Sequence, residues 1–88
     1  MDFRALRYFV DIAELRSFSK AAVQLRVAQP ALSRQVRKRE DELGVELLER
    51  AGRQITLTEA GALLLHGAHS LVRQVSRVAD DLSCKILP

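Results

Sequence analysis

The sequence predicts a mainly α protein: three helices and a two-stranded hairpin, followed by one long helix. Three observations in its 88 residues carry that reading. Apolar residues recur at helical spacing through the first half, in runs broken at Arg16-Ser17 and at Val27-Ala28-Gln29-Pro30. A short alternating stretch follows Gly52. Beyond Thr58 the apolar positions step by three and four residues as far as Leu82.

Asp2 is placed to cap a first helix from Phe3 to Leu15. Its stripe is Phe3, Leu6, Phe9, Val10 and Ala13. Tyr8, Ile12 and Leu15 make the other side apolar too, so more than one neighbour is required. Ser19 is read as the cap of a short second helix from Lys20 to Arg26, with Ala21, Ala22 and Leu25 inward. Proline is accepted in the first turn of a helix but not in its interior, so Pro30 marks a third helix from Gln29 to Leu43. Leu32, Val36 and Leu43 should point inward from it, and Gly44 should end it.

Two short helices separated by a few residues, the second one basic, form a helix-turn-helix pattern. Ile55 and Leu57 alternate with Gln54 and Thr56, and Gly52 supplies a turn from the preceding Glu46–Arg50 segment, which makes a two-stranded wing. Thr58 then caps a long helix. Gly61, Leu64, Ala68, Leu71, Val75, Val78 and Leu82 form a heptad seam along it, with Leu65, Val72, Ala79 and Ile86 as a flanking stripe. The expected architecture is a winged helix-turn-helix over residues 1–57 and a linker, or dimerisation, helix over 58–88.

Charge follows the same division. Formal net charge is only +3, yet no acid occurs between Glu14 and Glu40. Arg16, Lys20, Arg26, Arg34, Arg37, Lys38 and Arg39 lie in that interval. A basic block in an otherwise balanced domain is the electrostatic footprint of a polyanion partner. Residues 58–88 carry three basic and three acidic side chains, so the basic function lies in the first segment and association in the second.

Four stretches together resemble the N-terminal DNA-binding domain of the LysR-type transcriptional regulators. They are SFSKAA, AQPALSRQ, ELGVELLER and LTEAG in this order, preceded by LRYFVDIAE. The resemblance covers nearly the whole chain. It implies a homodimer on an interrupted dyad of double-stranded DNA near a promoter, with the two linker helices antiparallel. It also implies that a small-molecule inducer would act only through an effector domain absent from this chain. Two residues depart from the family pattern: Arg39 stands where leucine is usual, and Ala28 where many members place a serine. Arg39 falls on the inward stripe, where its guanidinium needs a carboxylate or a route to water. Glu42 and Glu46 are both within reach.

The expected base contacts are Gln29, Pro30, Ala31, Ser33 and Arg34. A glutamine amide pairs with adenine or bonds singly to another base, proline and alanine offer apolar contact to a thymine methyl, and arginine forks onto guanine O6 and N7. Lys20, Arg37, Lys38, Arg50 and Arg53 are expected on the phosphate backbone or in the minor groove. Leu64, Ala68, Leu71, Val75, Val78 and Leu82 are expected to form the dimer interface.

No catalytic, metal or cofactor site is expected. His66 and His69 are three residues apart, but Asp80, Asp81 and Cys84 lie further along the same straight helix, more than about 15 Å away. There is no glycine-rich phosphate loop and no nucleophile–base pair at motif spacing. No apolar run reaches the roughly 20 residues of a membrane span, and the N-terminus lacks a signal-peptide pattern, so a cytoplasmic protein is expected. The competing function is a dimerising helical adaptor whose basic face binds protein or acidic lipid. A membrane-surface helix, however, carries its basic and apolar residues on one long amphipathic segment. Here the basic residues fall on the second of two crossed helices.

Overall fold

The chain runs α1 (Phe3–Leu15), α2 (Phe18–Leu25), α3 (Gln29–Leu43), β1 (Leu48–Ala51), β2 (Gln54–Leu57) and α4 (Glu59–Ile86). The computed structural model describes residues 2–52 and 54–86. The architecture is the expected winged helix-turn-helix with a linker helix.

Helix α1 is the hub. Asp2 caps it, accepting the Ala5 N–H at 2.8 Å, and that bond holds the Asp2 carboxyl below its ordinary range. Phe9, Val10, Ile12 and Ala13 are all buried, because α2, α3 and α4 each pack on a different side of the helix. Its one buried acid, Asp11, accepts from Gln24 Nε2 at 3.2 Å and has Arg7 Nε 3.9 Å away. That bond ties α1 to α2.

Helix α2 begins two residues earlier than expected. Ser17, not Ser19, is the cap: its extended backbone (φ −158°, ψ 125°) brings its hydroxyl to the Lys20 N–H at 3.1 Å. This start lets Phe18 enter the core. The helix closes on Arg26 in the left-handed region (φ 59°), with the Val27 N–H donating to the Ala22 carbonyl at 3.0 Å. Glycine is the usual residue at such a closure.

Helix α3 starts without a side-chain cap at Ala28 and ends at Gly44 (φ 71°). Leu32 and Val36 are buried as expected. Leu43 is not; it is half exposed and rims an apolar groove with Leu6, Val45, Leu63 and Leu71. The inward stripe is already closed one turn earlier by Arg39, which lies beside Ala5, Tyr8, Phe9, Val36 and Leu47. Arg39 Nη1 donates to both carboxylate oxygens of Glu42, at 3.0 and 3.1 Å, while its Nε is buried without a partner among the described residues.

An unsatisfied buried donor costs about 1–3 kcal/mol. Arg39→Leu removes it and adds apolar contact, so the melting temperature is expected to rise by at least about 4 °C, the low end of the shift per kcal/mol for a domain of this size. DNA preference should not change. A lower melting temperature in a circular dichroism scan would show that the Glu42 pair outweighs the orphaned Nε.

The wing is antiparallel, pairing Leu48 with Leu57 and Ala51 with Gln54 around Gly52 (φ 62°). Glu40 Oε2 accepts the Leu47 and Leu48 N–H groups at 2.7 and 3.3 Å, which fixes the entry of β1 against α3.

Thr58 clasps α4 to this corner. Its N–H donates to the Leu47 carbonyl at 3.1 Å, its hydroxyl donates to the Glu46 carbonyl, and its Oγ1 accepts the Gly61 N–H at 3.0 Å. A Cβ on Gly61 would stand 2.0 Å from the Leu47 oxygen. Gly61 therefore faces its own domain and is not part of a seam, a correction to the sequence reading. Ala68 is also buried within the chain, and Leu64 is half-buried against the core. Further along, His69 Nε2 lies 2.7 Å from Glu14 Oε1 and links α4 to α1.

Candidate nucleic-acid interface

The orientation of α3 follows from its anchors. At about 100° per residue, Pro30, Arg34 and Arg37 stand nearly opposite Leu32, which has no exposed surface. Gln29, Pro30, Arg34, Arg37 and Lys38 are exposed, and Ala31 and Ser33 are half-buried at the edge of the same face. The expected base-contact residues thus share the first two turns of one helix. Among the described residues no carboxylate pairs with Lys20, Arg34, Arg37 or Lys38. Lys20 lies in the first turn of α2.

Arg50 of the wing differs from that pattern. The Arg50 guanidinium sits 4.7 Å from the centre of the Phe18 ring, a cation–π contact worth about 0.5–1 kcal/mol at an exposed site. Arg50 thereby braces β1 against the start of α2. Arg53 lies outside the described residues. Arg37 and Arg50 also line an open concavity between the end of α3 and β1, together with Glu40, Asp41, Glu46 and Glu49. Those carboxylates offset positive charge there, whereas Arg34 and Lys20 pair with no carboxylate among the described residues.

The expected dimer residues divide in two. Leu64 and Ala68 are largely used within the chain, as described above. Leu71, Val75, Val78 and Leu82 are exposed by 42–57%, a row of large apolar side chains along α4 with no cover in one chain. Leu43, Val45 and Leu63 extend this apolar surface onto the body of the domain.

Three positioning residues were not found from sequence: Ser17, Glu40 and Gly61. Ser17 and Ser19 are chemically equivalent as caps, and burial of Phe18 chooses between them. Glu40 carried a faint signal as the acid that ends the basic run. Gly61 occupies a heptad position, where spacing cannot distinguish a seam from a close backbone approach.

Residues 3–62 match the family model described as bacterial regulatory helix-turn-helix protein, lysR family. The hydrogen peroxide-inducible genes activator of Pectobacterium carotovorum subsp. carotovorum is 51% identical over 83 residues, spanning 94% of this chain and 28% of that protein. The RuBisCO operon transcriptional regulator of Allochromatium vinosum is 40% identical over 85 residues, covering 93% of this chain and 28% of its own length. The chain therefore spans under a third of the curated relatives it matches. Among solved structures, the BenM DBD/catB site 1 DNA complex superposes with a TM-score of 0.90 at 40% identity, covering 100% of this chain and 99% of that one. The CbnR DBD–DNA complex gives 0.83 at 40% identity, covering 97% and 98%.

Proposed function

The chain belongs to the lysR family of bacterial regulatory helix-turn-helix proteins, and from that premise we propose that it binds double-stranded DNA sequence-specifically as a homodimer, for transcriptional regulation. Residues 1–57 read the DNA and residues 58–88 join two copies. The observation that carries the reading is the first half of α3, where Gln29, Pro30, Ala31, Ser33 and Arg34 lie exposed or half-buried within two turns, beside Lys20, Arg37 and Lys38, which pair with no carboxylate among the described residues. This face suits a major groove, with Lys20, Arg37 and Lys38 on flanking phosphates and the wing, through Arg50 and Arg53, beside the backbone or minor groove.

The bare row Leu71, Val75, Val78 and Leu82 supports dimerisation, with the groove around Leu43, Val45 and Leu63 available to the second copy. The chain has no catalytic role in this reading and works in the cytoplasm, where its DNA lies. Among the described residues no helix is long and apolar enough to cross a membrane.

A gel-shift titration of a promoter duplex against a scrambled one tests the proposal, repeated over a range of salt concentrations. Lys38→Ala is expected to weaken all sequences alike and to flatten the salt slope by about one unit. Arg34→Ala is expected to cost about 1–3 kcal/mol on the preferred site and relax base choice at one position of each half-site. Equal affinity of the unaltered chain for both duplexes would sink sequence-specific binding.

A further inference from the structure

With Ser17 serving as the cap of α2, the hydroxyl of Ser19 is free for another task. Its Oγ donates to Gln29 Oε1 at 2.9 Å, a bond between the first turns of α2 and α3. Ala28 contributes no side-chain bond at the start of α3, so Ser19 holds the first side chain of that helix from across the turn. Both partners are exposed.

A glutamine amide that is free to turn can present a donor and an acceptor together, which is the pattern that matches adenine N6 and N7. Gln29 is not free in this way. Its carbonyl oxygen accepts the Ser19 hydroxyl, which occupies one of that oxygen's two acceptor sites and fixes its direction, while neither Nε2 hydrogen has a partner among the described residues. We propose that Ser19 is a specificity-positioning residue that presents Gln29 to DNA as a donor. The base read by Gln29 is then one with a strong acceptor edge, guanine through N7 and O6 or thymine through O4. Cytosine offers a donor there and is rejected. Adenine is disfavoured, because its bidentate pair needs the carbonyl oxygen that Ser19 already engages and turns away. The inference rests on the DNA-binding reading above.

Selection of binding sites from random duplexes tests it, using the 88-residue chain and its Ser19→Ala, Ser19→Thr and Gln29→Ala variants. The unaltered chain should enrich guanine or thymine at one position of each half-site. Ser19→Ala should raise the relative affinity for adenine at that position by roughly fivefold or more, the value of one good base contact. Ser19→Thr keeps the hydroxyl and should keep the original preference. Gln29→Ala should lose preference at that position alone. An unchanged Ser19→Ala preference overturns the proposal, and so does adenine enrichment by the unaltered chain. A uniform loss of affinity with a flatter salt slope would make Ser19 a phosphate contact instead. If Gln29→Ala selects the same sites as the unaltered chain, DNA reading stands on Arg34 and the inference falls. If the unaltered chain enriches no sequence, the function proposed above falls with it.

Discussion

Gly61→Ala is expected to destabilise the domain by at least about 2 kcal/mol, within the range for overpacked cores. At about 4–8 °C per kcal/mol, the melting temperature should fall by roughly 10 °C. The cause is contact with backbone rather than with a movable side chain: the added Cβ would stand 2.0 Å from the Leu47 oxygen and 3.0 Å from its carbonyl carbon. Relief requires α4 to lift from Leu47, just before β1, and that breaks the Thr58 bonds to Glu46 and Leu47. Helix propensity alone would give the opposite sign, because alanine is favoured over glycine inside a helix by about 1 kcal/mol. Gly67 provides the control on the same helix. A Cβ there meets nothing within 4 Å, so Gly67→Ala should stabilise the single chain by about 0.5–1 kcal/mol. Thermal unfolding of both variants at dilute concentration checks the pair. A neutral Gly61→Ala would mean that the linker helix does not sit on Leu47.

Leu71→Asp is expected to abolish the dimer and with it tight binding to a dyad. Leu71 is 44% exposed in one chain and lies where the apolar groove meets the row Val75, Val78 and Leu82. Twofold symmetry places the substituted residue in the interface twice, and each carboxylate would lose several kcal/mol of hydration there. The folded monomer should be little affected, because the side chain is already half in water. Sedimentation should therefore report single chains with an unchanged helical circular dichroism signal. Binding to a half-site should persist at the weaker level of one reading head. Ser76→Asp, an exposed position off the apolar row, should remain dimeric. A dimer that survives Leu71→Asp would move the interface elsewhere, for example onto α1.

Much of this protein was determined by local sequence chemistry. The bounds of α1 and α3 follow from a capping aspartate, a proline in a first turn and a glycine just past a last one, each of which acts within a few residues. Alternation around Gly52 was enough for the wing, and the acid-free interval from Glu14 to Glu40 was enough to locate the charged face. The exposed placement of Arg34, Arg37 and Lys38 was also legible, because helical spacing from Leu32 and Val36 sets it, whereas Gln29 shares the spacing of that buried stripe and is exposed as the first residue of the helix.

Tertiary structure decided what periodicity leaves degenerate. Gly61, Leu64 and Ala68 share the spacing of Leu71 and Val75, yet the first three lie where α4 packs on α1, β2 and Leu47, and the others lie beyond that body. A heptad shows which residues share a stripe, but not what stands in front of it. The same limit applied to Leu43, whose stripe is closed by Arg39 before the helix ends, and to the choice of Glu42 over Glu46. Ser17 and Ser19 were equivalent caps until Phe18 found the core, and only then was Ser19 left to hold Gln29 across the turn. Contacts between residues distant in the chain depend on how helices cross, and the crossing is a property of the assembled core rather than of any one segment.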